Sequence, residues 1–364
     1  MTCDIFCRVI DNYGDIGVCW RLARQLSAEH GIKVRLMVDQ LSSFSRIAPE
    51  VDPGLLRQNV ANIEVFAWTE ALDLSSPADL VIEAFACELP ARYLRGMAER
   101  HPAPQWINLE YLSAEPWVAG HHLLPSPHSY LPLTKHFFFP GFTPGTGGLI
   151  READVGRLPG ANATAKPVSP LRVFVFAYES APVDRLIHAI PAEGVVAHVT
   201  VPAGRSQDKL KNWRGQQAEN ALEASPLLGF GYPDFVPQPE FDALLRAHDV
   251  LFIRGEDSFV RAQWAAQPFV WQIYPQAEGA HWVKLNAFLD LYCEGLEAEA
   301  AQALRDLWHV WNGAVHGDLP AAWNRFLRSR AVLQAHAIAW ADKLMQMPDL
   351  ASNLLSFYKK NAKI

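Results

Sequence analysis

No stretch of this chain approaches the roughly 20 consecutive apolar residues that a membrane-spanning helix needs, although half of its 364 residues are hydrophobic. That absence excludes a helical membrane protein. Cysteine is scarce as well: five residues, an odd number at irregular spacing, which fits reduced thiols and not a disulfide framework. The start, Met1-Thr2-Cys3-Asp4, lacks the basic segment that opens a secretory signal. A cytoplasmic location is the expectation. Basic runs are missing too. With a net charge of −7 and no basic–aromatic stripe, nucleic acid is not an expected partner, because phosphate neutralisation dominates that affinity. Metal ligands at useful spacing are also wanting. Cys3 and Cys7 on one strand stand about 13 Å apart, and the adjacent His121 and His122 have no Cys or His companions at ligand spacing. No metal or other cofactor is expected.

What is present is an alternation of strand-like and helix-like segments. The length suits two domains of ordinary size. Cys3–Ile10 is a short apolar run bounded by turn residues, as in a buried strand. From Val18 the apolar residues Val18, Leu22 and Leu26 recur every four positions, one face of a helix. Further strands are predicted at 32–38, 63–66, 80–83 and 106–109. The segment from Leu112 to Gly148, rich in Pro, Gly, His and aromatics, reads as long functional loops. After the small, polar, Pro- and Gly-punctuated stretch Leu158–Pro170 the alternation restarts, with strands predicted at 171–176, 195–201, 249–253 and 269–273. The C-terminal part is helical over 331–347 and 350–358. Two α/β domains follow: 1–157, joined by about 348–364, and 171–347, with 158–170 as linker.

Two segments carry chemistry. The first is the turn Ile10-Asp11-Asn12-Tyr13-Gly14-Asp15-Ile16-Gly17, which puts two carboxylates at the carboxyl end of the first strand, where open α/β sheets bind ligands. Its plainer reading is an Asx-turn at Asp11 and a helix N-cap at Asp15. A dinucleotide fingerprint is a further alternative, with Asp39 as its ribose acid. The turn has Gly14 and Gly17 but no complete Gly-x-Gly-x-x-Gly, which disfavours a nicotinamide-dependent oxidoreductase. The second segment, Arg254–Trp264, follows a strand and opens a helix, so free backbone N–H groups and the Arg254 fork suit a diphosphate. Glu256 and Asp257 would repel phosphate and suit sugar hydroxyls or a cationic acceptor, or else simply favour a helix N-terminus. Two aromatic–amide segments, Phe235-Val236-Pro237-Gln238 and Pro268–Gln276 with Tyr274 and two polar amides, can offer a nucleobase a flat face and an edge partner, and otherwise read as core.

Together with Asp11–Leu26, Ile107–Glu115, Leu124–Pro127, Phe138–Phe142 and Pro268–Gln276, these segments closely resemble the elongation factor P arginine rhamnosyltransferases of bacteria. The resemblance implies a glycosyltransferase B-type α/β fold: two Rossmann-like domains facing across a cleft, with the final helix crossing back to the first. It implies dTDP-β-L-rhamnose as donor, one arginine of elongation factor P as acceptor, inversion at the anomeric carbon and no metal. On this reading Asp15 is the general base and Asp11 its partner. The donor is held by Asn12, Tyr13, Gly14 and Gly17 of the opening turn and by Phe176, Tyr178, Phe235, Gln238, Arg254, Gly255, Glu256, Asp257, Ser258 and Tyr274. Glu110 and Tyr111 are expected near the acceptor. The rival from another class is a non-catalytic module that binds a nucleotide or elongation factor P, for which a carboxylate pair is superfluous.

Overall fold

The structure is a computed structural model that describes residues 1–10, 13–70, 72, 74, 76–155, 170–191, 194–219, 226–314 and 317–361. Asp11, Asn12 and all of the expected linker except Pro170 lie outside them. The chain divides into two compact units, Met1–Arg157 with Met345–Ile364, and Leu158–Leu344.

In the first unit the elements run β1 (Thr2–Cys7), α1 (Gly14–Ala28), β2 (Lys33–Val38), α2 (Leu41–Ile47), β3 (Arg57–Val60), β4 (Ile63–Ala67), β5 (Leu80–Ala84), α3 (Ala91–Glu99), β6 (Gln105–Leu109), α4 (Val118–His121), β7 (Pro125–Pro127) and β8 (Thr134–Phe138). They build an eight-stranded sheet in the order β3-β4-β2-β1-β5-β6-β8-β7, parallel except for its two antiparallel edge strands. Five of the six residues of β1 are fully buried, as a central parallel strand covered on both faces requires. Its one acid, Asp4, is matched by a bidentate Arg35 (2.6 Å to each oxygen), the Ala78 N–H at 3.0 Å and the Tyr93 hydroxyl. Four donors compensate this fully buried carboxylate.

Two expectations change here. The first helix begins at Gly14, a turn before the apolar periodicity: the Gly17 N–H bonds the Tyr13 carbonyl at 2.9 Å, and an acid at position 15 suits the positive end of the helix. The stretch 112–148 is also not all loop. β8 continues the parallel sheet beside β6, pairing Trp106 with Lys135 through Leu109 with Phe138. The proline-bearing β7 sits at the edge, the place where a missing N–H costs nothing.

The second unit contains β9 (Leu171–Val175), α5 (Val183–Ala189), β10 (Ala197–Thr200), α6 (Arg205–Glu219), β11 (Leu228–Gly231), α7 (Gln238–Arg246), β12 (Val250–Arg254), α8 (Glu256–Ala265), β13 (Phe269–Gln272), α9 (Ala280–Tyr292), α10 (Ala298–Trp311), α11 (Leu319–Arg328) and α12 (Arg330–Met345). Its five strands are all parallel, in the order β11-β10-β9-β12-β13. The core is aromatic: Phe259 stacks on Trp271 with ring centroids 4.0 Å apart, and Phe288 stacks on Trp308.

The last helix, α13 (Leu350–Asn361), belongs to the first unit. The Leu350 N–H bonds the Leu149 carbonyl at 2.8 Å, Gln25 of α1 donates to Asp349 at 3.1 Å, and Phe357 packs on His136. The returning chain passes so close that a Cβ on Gly148 (φ +75°) would lie 2.5 Å from the Pro348 carbonyl oxygen. Only glycine fits there.

A half-buried histidine near this junction sets a pH dependence. His122 accepts the Phe139 N–H at 3.1 Å, which needs the neutral ring, and burial pushes its pKa down to about 4. The unfolded chain therefore takes up a proton between roughly pH 6.5 and 4 that the folded chain refuses. Stability from this group is complete above pH 6.5 and is lost as pH falls toward 4. Urea unfolding of His122→Gln, whose amide oxygen still accepts from Phe139, is expected to show a shallower loss between pH 7 and 4.5 than the parent. Equal slopes would exclude His122 as a contributor.

Candidate functional site

In the first unit the site residues gather at the carboxyl end of the sheet. Asp15 stands in the first turn of α1 and is only 2 % exposed. It is not the helix N-cap: that position is Tyr13, without a side-chain cap bond. One Asp15 oxygen accepts the Ile10 N–H at 2.7 Å, and the other accepts the Tyr111 hydroxyl at 3.2 Å. The carboxylate therefore closes the turn between β1 and α1 while Tyr111, at the exit of β6, steadies it from the side. Tyr111 in turn stacks on Phe85 (centroids 4.4 Å, interplanar angle 15°). Phe85 sits just past β5 with φ +56°, a conformation a bulky side chain adopts only where its surroundings enforce it. Glu110, half-buried, accepts from the Asn108 amide and bonds the Phe138 carbonyl through its own N–H. The Asp39 Oδ1 accepts the Val9 N–H at 2.9 Å, and the Gln40 amide donates to the Val9 carbonyl at 3.0 Å. Gly14 and Gly17 lie inside the first turn of α1. Asp11 and Asn12 are outside the described residues.

The second unit gathers its residues in the same topological place, around the passage from β12 to α8. Gly255 caps α8 with φ +69° and ψ −176°, backbone that glycine alone occupies without strain. Its carbonyl is fixed by Trp271 Nε1 at 2.9 Å. This holds the start of α8, whose first turn carries Glu256, Asp257 and the buried Ser258; the first N–H groups of a helix have no acceptor within the helix itself. The Arg254 guanidinium carbon lies 4.6 Å from the ring centre of Phe176 and 4.6 Å from that of Tyr178. Its buried Nε has no hydrogen-bond partner among the described residues. A cation held between two aromatic faces, with a buried donor unanswered, is a place where a ligand anion completes the bonding. Tyr178 makes an edge contact with Tyr274, which is half exposed, and Gln238 donates to Asp257 at 3.1 Å. Phe235 lies half-buried on the approach to α7, three residues before Gln238.

The sequence-predicted residues thus fall into two groups. Tyr13, Gly14, Asp15, Gly17, Glu110 and Tyr111 lie in the first unit, and Phe176, Tyr178, Phe235, Gln238, Arg254–Ser258 and Tyr274 in the second. Sequence reading missed Phe85, for which an Ala-Phe-Ala run gives no turn signal, and Trp271. Gln272 falls within the aromatic–amide segment 268–276 that the sequence offers to a nucleobase, but its amide bonds Tyr178 and Ser180. All five cysteines are free and buried; burial raises the thiol pKa of Cys3, Cys87 and Cys293, and a hydrogen bond with Cys19, followed by burial, raises that of Cys7. Among the described residues no cluster of three or more His, Cys, Asp or Glu could hold a metal ion, and no helix is long and apolar enough to cross a membrane.

Comparison with known proteins gives a consistent answer. Residues 3–359 match the family described as elongation factor P (EF-P) rhamnosyltransferase EarP. A protein-arginine rhamnosyltransferase of Pseudomonas putida is 44% identical over 99% of each chain, and one of Neisseria meningitidis is 37% identical over 100% of this chain and 98% of its own. Among solved structures, one described as the structural basis for EarP-mediated arginine glycosylation of translation elongation factor EF-P is 32% identical, with a TM-score of 0.64 over 99% of each chain. An α-glucosyltransferase bound to UDP-glucose and DNA, only 10% identical, superposes with a TM-score of 0.50 over 99% of each chain and shares the fold alone.

Proposed function

Since this chain belongs to the EF-P rhamnosyltransferase family, with the glycosyltransferase-B-type α/β fold and the protein-arginine rhamnosyltransferase activity of that family, we propose that it transfers L-rhamnose from dTDP-β-L-rhamnose to an arginine of elongation factor P with inversion. The observation that carries this reading is the Arg254 turn. A guanidinium between two aromatic rings, with its Nε unanswered, beside a helix start capped by glycine without a side-chain cap bond, suits a nucleoside diphosphate.

The chemistry explains why an acid is wanted in the other unit. A guanidinium is a poor nucleophile, cationic and delocalised, with a pKa above about 12. A carboxylate bonded to it orients one nitrogen and takes its proton as the bond forms. Asp15 is suited to that role, since the Ile10 N–H and Tyr111 hydroxyl hold it in one orientation. In the displacement the guanidino nitrogen bonds to C1 of the sugar from the face opposite the diphosphate, and the C1–O bond breaks. The electron pair leaves with dTDP. The released proton passes to Asp15. Arg254 and the α8 N–H groups take up the charge growing on the leaving oxygen, so no acid is needed there and, we propose, no metal. Glu256 and Asp257 are assigned to the ribose, sugar or acceptor, Ser258 to the diphosphate, and Phe235, Gln238 and Tyr274 to thymidine and its link. Glu110 and Tyr111 border the acceptor arginine, and Asp11, Asn12, Tyr13, Gly14 and Gly17 complete the turn.

Two-dimensional NMR of the modified arginine tests the stereochemistry. An α-rhamnosyl product from the β-donor is expected, and a β-linked product would contradict inversion. The oxidoreductase alternative lacks its complete Gly-x-Gly-x-x-Gly fingerprint.

A further inference from the structure

Gln272 closes β13 directly beside Arg254, its register partner on β12, so the two side chains share one face of the sheet. It is 3 % exposed and polar, in a strand end otherwise filled by Val270 and Trp271. Both ends of its amide are spent on a single loop. Oε1 accepts the Tyr178 N–H at 2.7 Å, and Nε2 donates to Ser180 Oγ at 3.1 Å. That loop leaves β9 and carries the ring that stacks on Arg254. Phe176, the other ring, is fixed separately, because its N–H bonds the Phe252 carbonyl at 2.8 Å and extends the β9–β12 ladder. Tyr178 lies past the last ladder bond. Its backbone is located by a side chain from the next strand but one.

We propose that Gln272 is a positioning residue for the donor site: it sets the Tyr178 backbone so that the tyrosine ring covers the Arg254 guanidinium and keeps that fork aimed at the diphosphate. This rests on the donor reading above. Gln272 does not touch the nucleotide in this account; it acts through Tyr178.

The test is a double-mutant cycle in dTDP affinity, measured by calorimetry on the full chain, with steady-state kinetics alongside. Gln272→Met keeps the volume and removes both bonds. It is expected to raise the dTDP Kd about tenfold and the donor KM in parallel, with the acceptor KM unchanged. In the Tyr178→Ala background the same change is expected to cost less than about threefold, because residues acting through one contact are not additive. Equal penalties in the two backgrounds would overturn the proposal, as would a Kd within twofold of the parent. Should Gln272→Met fail to fold, Gln272→Asn, one methylene short of Tyr178, takes its place in the cycle with the same thresholds. Parent protein that bound no dTDP would overturn the donor reading and the proposal together. Normal parent binding with an additive cycle overturns the role of Gln272 alone.

Discussion

Asp15→Asn is expected to lower rhamnosyl transfer by roughly 10²- to 10⁴-fold, the usual worth of a positioned general base, with dTDP affinity unchanged. The substitution is nearly isosteric. An asparagine at 15 still offers its carbonyl oxygen to the Ile10 N–H, and its amide can donate to the Tyr111 oxygen in place of accepting from it. The turn between β1 and α1 therefore survives. What disappears is the negative charge that orients a guanidinium and the basicity that receives its proton. The split between a collapsed kcat and an intact dTDP Kd is the diagnostic, because the diphosphate and thymidine contacts are assigned mainly to the other unit. An unfolded Asp15→Asn protein would make the carboxylate a structural tie. Wild-type turnover would remove Asp15 from the chemistry.

Arg254→Ala should weaken dTDP binding by roughly 10- to 100-fold, in line with the ~1.5–3 kcal/mol of a hydrogen bond to a charged group, and should also lower kcat. The residue has little structural work that the substitution would destroy. Its Nε is unpaired among the described residues, and its contacts are the two ring faces. Removing it leaves Phe176 and Tyr178 with a gap but strands no buried charge. Arg254→Lys keeps a cation without the planar fork and is expected to recover only part of the loss. Calorimetry with dTDP resolves the three proteins. Equal affinities would mean that the unanswered Nε is incidental and the diphosphate lies elsewhere.

The fold was largely legible because parallel strands buried on both faces announce themselves as short apolar runs, as in Cys3–Ile10 and Val250–Ile253. The edges were harder to read. β7 carries two prolines, and β8, Thr-Lys-His-Phe-Phe, has the composition of a loop until its pairing with β6 fixes it. The start of α1 was misplaced by a turn because its first turn is held by the Gly17 N–H on the Tyr13 carbonyl and by the Ile10 N–H on Asp15, and not by an apolar stripe. In the site, charged residues in odd places were visible: an acid at a strand end and an arginine before a glycine. The partners that give them geometry were not. Phe85 owes its position to a left-handed backbone with no glycine to signal it, Trp271 reads as an ordinary strand residue until its bond to Gly255 is seen, and Gln272 reads as an amide for a nucleobase until its bond to Tyr178 is seen. Chemistry-bearing side chains show in sequence when their type is unusual for their place. Those that hold them act through backbone atoms, and the sequence does not reveal which backbone atoms will be near.

The most direct test of the whole account is intact-mass analysis of elongation factor P after incubation with this enzyme and dTDP-β-L-rhamnose, followed by fragmentation to locate the change. The account predicts a single added deoxyhexose on one arginine side chain. Unmodified elongation factor P, from protein that binds both dTDP and the acceptor, would contradict it.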